Sequence, residues 1–184
     1  MFPIIPAGGS AGFPQNDEGI FGFGEKASGD LATTNLVSNT GVVGSDVAGV
    51  GTARRFLAAT EYGGDKGIFG FGYVSSPSGS SSLTNKVSNA GVVATDTTGV
   101  GTARHGLAAC GYGGNKGIFA FAGYTNLVSN VGVVATDVTQ VGTARGELAA
   151  CEYGGDKGIF GYGGSYLSMT NLVSNAGVVG TDVT

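Results

Sequence analysis

The chain has no tryptophan, a single histidine, two cysteines and few charges, only 12% of its 184 residues, and each shortage excludes something. Cys110 and Cys151 are too few for a disulfide framework; they hold the same position in successive repeats, where Thr60 and Gly12 stand in the others, and read as small apolar strand residues. His105 occupies a slot held by Arg55 and Gly146 elsewhere. Its neighbours offer no Cys–His or Ser–His–Asp spacing, so it reads as a surface histidine and the chain as a non-enzyme. A formal charge of −4 and a pI near 4.7, with nine Lys and Arg spread over the repeats, leave no basic footprint, which excludes nucleic acid as a partner. The opening MFPIIPAGGSAGF has no positive region, and Pro3 and Pro6 break its apolar patch, so neither a signal peptide nor membrane insertion is expected and the mature protein is expected to start here.

Glycine, in contrast, is abundant at 37 residues. Disorder calls for low hydrophobicity and high net charge, whereas the hydrophobic fraction is 41% and the mean hydropathy +0.19. The glycines also recur periodically, which points to a folded repeat. The segment from Thr34 to Gly72 returns from Thr84 and Thr125 and begins again at Thr170. From the Val of each VSN to the Gly of the next GIF the distance is 30 residues in all three cases, Val37 to Gly67, Val87 to Gly117 and Val128 to Gly158. From GIF to the following VSN it is 18, 20, 11 and 15 residues, so all length variation lies in one connection. Counting 30 residues past Val173 and wrapping to the start reaches Gly19, which opens the first GIF. That register is the one four complete units in a ring require.

Within one unit, RRFLAATEY is apolar and β-compatible, GGDKG is a turn, and IFGFG alternates Phe69 and Phe71 against Ile68 and Gly70, predicting a hairpin with both phenylalanines on one face. TNLVS then leads through Asn39 and Gly41, residues that tolerate positive φ, into VVGSDV as a second hairpin. Glycine at this density disfavours helix by roughly 1 kcal/mol per residue relative to alanine. Four short antiparallel strands per unit of this length predict a propeller blade. The fold expected is therefore all-β, a four-bladed β-propeller in a single domain, with repeats at about 1–48, 49–98, 99–139 and 140–184; an open β-solenoid is the alternative. Ala58-Ala59, Ala108-Ala109 and Ala149-Ala150 supply the small residues that four crowded inner strands need, and Ala7 to Phe13 take that place in the first unit, with Pro6 where the others have Arg54, Arg104 and Arg145.

The Arg-led strand with paired small residues, the glycine turn and the apolar strand ending in Gly, as in ARRFLAATEYGGDKGIFGFG, resemble kelch repeats, although the later Trp is missing and Gly-Gly follows the second strand only at Gly163-Gly164. The DKGIFGFG and TNLVSN wording also resembles glycine-rich repeat proteins of bacteriophage virions and tails. That resemblance implies a non-enzymatic structural or adsorption protein located in the virion, with the cytoplasm as the alternative. It implies partners among other virion proteins or a host-surface glycan, and a homo-oligomer is a further option. The rival function is a soluble carbohydrate-binding lectin with repeated sites.

Three features invite chemistry. GIFGFG is not followed by a helix, so it reads as structural glycine rather than a phosphate loop, and no cofactor is expected. Asp46, Asp96, Asp137 and Asp182 recur at repeat spacing. They are read as partners of turn backbone, or as an Asp–Arg brace between blades, in preference to a carboxylate ring holding Ca²⁺; no metal is expected, and these four are the only candidates. The variable connections are serine-rich and carry Tyr73, Ser76, Ser80, Tyr124 and Tyr166, which suit stacking and hydrogen bonding and are the candidate binding residues.

Overall fold

The computed structural model describes residues 16–121, 123–164 and 167–184. Among them there is no helix, and every ladder is antiparallel. The first unit contributes β1 (Gly19–Lys26) and β2 (Gly29–Val37), paired through a bulge between Gly22 and Gly24. In the second, β3 (Ala58–Tyr62), β4 (Lys66–Gly70) and β7 (Thr84–Val87) form one sheet, while β5 (Tyr73–Ser75) and β6 (Ser78–Ser80) form a separate hairpin from the longest variable connection. The third is a four-stranded meander of β8 (Ala108–Tyr112), β9 (Lys116–Phe121), β10 (Tyr124–Val128) and β11 (Val138–Thr139). The fourth repeats three strands, β12 (Ala149–Tyr153), β13 (Lys157–Gly161) and β14 (Thr170–Val173). None of these small sheets closes on itself.

The outermost strand is ragged. Val43 and Val47 pair with Val37 and Thr34 only through isolated bridges, and equivalent bridges recur at Val93, Val134 and Val179. The turn that feeds it is the Asn-x-Gly turn expected: Gly41 N–H donates to the Ser38 carbonyl at 2.9 Å, and the Ser38 hydroxyl accepts from Val42 N–H at 3.1 Å.

Side chains of successive units interlock face to face. Phe69 of the second unit lies on Gly22 of the first, where a Cβ would come within 2.9 Å of its ring, and Phe119 lies on Gly70, where the distance would be 2.7 Å. In the next pair the slot holds Ala120, packed with Phe160. These phenylalanines are 0–1% exposed, and each buried ring contributes on the order of 2–3 kcal/mol. Glycine is needed at Gly22 and Gly70 for close approach, since a side chain would displace an aromatic ring.

Here the alternation expected for IFGFG fails. Phe71 has φ +64°, as do Phe23 (+63°) and Tyr162 (+62°) at the same position, so the strand kinks into the left-handed region. The kink turns Phe71 away from the face of Phe69 and into the following unit, edge-on to Phe119 with ring centroids 5.3 Å apart. Phe23 meets Phe69 in the same way at 5.2 Å. One sequence motif thus grips the unit before it and the unit after it.

Backbone bonds complete the joints. Gly63 N–H donates to Asn115 O and Gly113 N–H to Asp156 O, both at 2.8 Å, beyond the ends of β3 and β8. At the other end Gly106 N–H donates to Phe56 O at 2.9 Å and Glu147 N–H to Gly106 O at 2.7 Å.

Gly70→Val is expected to lower stability by about 1–3 kcal/mol through overpacking, and Phe119→Ala by about 3–5 kcal/mol through the cavity it leaves. Urea unfolding midpoints check both, and unchanged midpoints would mean that this contact does not hold the units together.

Candidate functional site

Three places gather polar or aromatic side chains: a buried network inside each unit from the second on, an acidic pair on β3 and β12, and a cluster at the variable connections.

The network centres on Arg54, Arg104 and Arg145, all buried although arginine is rarely buried without partners. Arg54 is 0% exposed. Its Nε donates to Phe71 O at 2.8 Å and its terminal nitrogens to Thr52 O at 3.1 Å and Asn85 Oδ1 at 2.6 Å. Asn85, also fully buried, passes the arrangement on by donating from Nδ2 to Asp96 Oδ1 at 2.9 Å and to Ala94 O at 3.0 Å. The second oxygen of Asp96 accepts from Thr52 N–H at 2.9 Å and Thr52 O–H at 2.7 Å. Thr143, Arg145, Asn171 and Asp182 repeat the pattern, and Thr102, Arg104, Asn126 and Asp137 repeat it except that the buried Arg104 Nε meets no acceptor among the described residues. The guanidinium of Arg54 also stands 4.4 Å over the Phe23 ring of the preceding unit, and that of Arg104 4.1 Å over Phe71.

Each arginine therefore pairs with the aspartate that follows it, Arg54 with Asp96 at 3.6 Å, Arg104 with Asp137 and Arg145 with Asp182 at 3.5 Å. The two readings expected of these aspartates were turn-backbone acceptor and Asp–Arg brace between blades; the ion pair observed lies within a unit. The chain reverses twice between the two residues and brings the last strand back beside the segment that opens the unit. Desolvation by burial pulls the Arg54 pKa down to about 10 against the opposing charge of Asp96. Burial alone would raise the Asp96 and Asp137 carboxyls, but donors from Thr and Asn and the arginine charge outweigh it and hold both below the ordinary range. Asp46 accepts from Asn35 Nδ2 at 2.8 Å in the first unit; Pro6, at the arginine slot, lies outside the described residues. Asp96, Asp137 and Asp182 have both carboxylate oxygens engaged by N–H and O–H donors and Asp46 has one, so the four serve as acceptors in structural networks. Among the described residues no group of three or more His, Cys, Asp or Glu gathers as a metal site.

The acidic pair was not visible in the sequence. Glu61 of the second unit and Glu152 of the fourth converge over Gly111 of the third, where a Cβ would meet a carboxylate oxygen of each, at 3.0 and 2.6 Å. Burial, then the hydrogen bond to Glu152 and its charge, raise the Glu61 pKa to about 8. Cys110, beneath them, is pushed up to about 12, chiefly by burial. Glu61 also borders a cleft of about 40 Å³ between the first two units, with Ile20, Leu36, Lys66 and Val87, space for water molecules rather than for an organic ligand.

At the variable connections, Tyr73 and Ser80 stand opposite each other on β5 and β6, and Ser76 lies in the turn between them, before a cis bond to Pro77. Tyr124 belongs to the β10 ladder and is half-buried, and Tyr166 lies outside the described residues. Three residues not singled out for binding join Tyr73 and Ser80. Arg55 bridges to Tyr73 by paired backbone bonds of 2.9 and 2.7 Å, and its guanidinium binds Glu25 at 2.7 Å, Asp30 at 3.0 Å and Ser75 at 2.8 Å. His105 accepts or donates at Nδ1 with Ser80 Oγ at 2.9 Å and lies 5.2 Å from the Tyr73 ring. Phe56 lies 6.2 Å from His105. The available signal was that Phe56 stands in the slot of Gly106 and Glu147, an aromatic where the repeat does not require one.

No family model matches this chain, and no curated protein matches it.

Asp96→Ala is expected to cost about 3 kcal/mol, since it leaves a buried arginine without its counter-charge, and Asp46→Ala less than about 1 kcal/mol for one exposed hydrogen bond; urea titrations compare them, and equal losses would refute the assigned role of Arg54. The pH dependence follows from Glu61. With a folded pKa of about 8 against about 4.3 unfolded, the folded state holds a proton that the unfolded chain releases. Its contribution is complete below the unfolded value and is lost as pH rises through the folded one. Thermal midpoints should decline between about pH 4.3 and 8, and Glu61→Gln should flatten that decline.

Proposed function

We propose that this chain is a non-enzymatic structural and interaction protein, a component of a phage virion or tail that serves assembly or host adsorption, built as a four-bladed propeller with its variable connections on one face. The observation that carries the architecture is the match between the open faces of the first and last units. Phe21, equivalent to the buried Phe69, Phe119 and Phe160, is 41% exposed. On the fourth unit Ala149, Cys151 and Tyr153 are exposed, whereas the equivalent Ala58, Thr60 and Tyr62, and Ala108, Cys110 and Tyr112, are buried by the unit that follows. These are the two halves of the interface that already joins neighbouring units. The meeting of Glu61 with Glu152 across an intervening unit is what inner strands radiating from one axis produce.

The role as a multi-copy assembly protein draws on the phage-repeat resemblance and on the use of the recurring polar side chains as internal braces. It draws also on a row of outward valines, Val42, Val92, Val133 and Val178, each more than half exposed at the same position of each unit, apolar surface of the kind that marks contact sites. The partners proposed are other virion proteins or a host-surface glycan. The lectin is the second reading, favoured by the aromatic cluster around Tyr73.

Two measurements test this. Mass spectrometry of purified particles should recover the chain in many copies, and its absence there would remove the virion role. For the ring, a Cβ at Gly158 would lie 2.6 Å from Cys110 Sγ, so Gly158→Cys should form a disulfide with Cys110 as a control. In a closed ring Gly19, the equivalent of Gly158, would come to lie opposite Cys151, the equivalent of Cys110. Gly19→Cys should then give an intrachain bridge in a monomer. Disulfide-linked dimers and longer chains, or no bridge while the control forms, would overturn closure.

A further inference from the structure

We propose that the junction of the second and third units carries one binding site for a neutral sugar ring, formed by Phe56, Tyr73 and His105. The inference deepens the loop-face reading above and rests on it, but it does not need the ring to close.

Phe56 is 56% exposed, so packing does not explain a phenylalanine there. Its φ is +54°, a conformation that costs a side-chain-bearing residue roughly 1–2 kcal/mol. The slot has that conformation in all three units where it is described, with Gly106 at +68° and Glu147 at +55°. Glycine, which the third unit uses, satisfies the backbone at least cost. A strained, solvent-facing aromatic where glycine suffices is a residue kept for contact with something outside the fold.

The surroundings fit a sugar. Phe56 is pinned by Gly106 N–H donating to its carbonyl at 2.9 Å. The rings of Phe56, His105 and Tyr73 follow one another at 6.2 and 5.2 Å, tilted by 38° and 73°, giving a faceted apolar wall for the C–H face of a pyranose. Ser80 holds His105 through Nδ1, which orients Nε2, together with the Ser80 and Tyr73 hydroxyls, as hydrogen-bonding groups for sugar hydroxyls. Arg55 lies 5.4 Å from the Phe56 ring and 5.1 Å from that of Tyr73. Its charge is met by Glu25 and Asp30, so the site carries no excess positive charge and selects a neutral sugar over an acidic one. It is a single site: Gly106 and Glu147 replace Phe56, and Gly146 replaces His105, in the sister units.

Saturation-transfer NMR on the full chain, with the methyl glycosides of glucose, galactose, mannose and N-acetylglucosamine and with N-acetylneuraminic acid as the anionic probe, tests the site. At least one neutral glycoside should bind saturably, and Phe56→Gly should weaken it about tenfold with an equal or higher thermal midpoint, because the sister residue is glycine. His105→Gly, again a sister residue, should weaken binding with the fold intact. Binding by none of the neutral glycosides, binding undiminished in Phe56→Gly, or binding of the anionic probe alone would overturn the proposal. Absence of the chain from virions would not change these readouts, so the two readings fail separately.

Discussion

A buried arginine is the constraint on which the rest depends. Taking a guanidinium out of water is tolerable only if its donors are met and its charge is balanced, and here both conditions draw in residues from every part of a unit. Arg54 ties the opening segment to the end of β4 through Phe71 O, to β7 through Asn85 and to the last strand through Asp96. Removing any one leaves the others with unsatisfied groups. The same guanidinium lies over an aromatic ring of the preceding unit, so the internal brace also sets how one unit seats on the next. Gly51, with φ +96° and a carboxylate oxygen of Asp96 where its Cβ would be, is the backbone's concession to that arrangement.

Packing between units then depends on size complementarity rather than on area alone. A ring from one unit fills the space left by a glycine or alanine of another, and the left-handed kink at Phe71 lets a single short motif face both ways. The outermost strand contributes least, with isolated bridges, the two-residue β11 and exposed valines. Each unit is thus firm at its inner and middle strands and loosely hydrogen-bonded at its rim, a gradient that bears on where partners can attach without disturbing the core.

Much of this was legible in the sequence, and what was not has a physical reason. The constant 30-residue spacing identified the unit, and the turn residues at Asn39 and Gly41 located the second hairpin, because local backbone chemistry decides both. The orientation of Phe71 was not legible, since a period of two assumes extended backbone at every residue and one positive φ breaks it. Which aspartate meets which arginine was not legible, because two chain reversals bring the later aspartate back to it. Glu61 and Glu152 meet through the arrangement of three units, which no local pattern encodes. Of the residues expected to bind, Tyr73 and Ser80 share a hairpin; Phe56 and His105 join them from equivalent slots of neighbouring units, a proximity visible only once those units are stacked.

Because Arg54, Arg104 and Arg145 each find their aspartate inside their own unit, that brace is self-contained. A recombination event that inserts or deletes one whole repeat leaves each remaining pairing of Arg54, Arg104 or Arg145 with its own aspartate intact, whereas a slip by part of a repeat strands a buried charge. The network therefore acts as a filter on length change, permitting whole units and penalising fractions. It does not count the units.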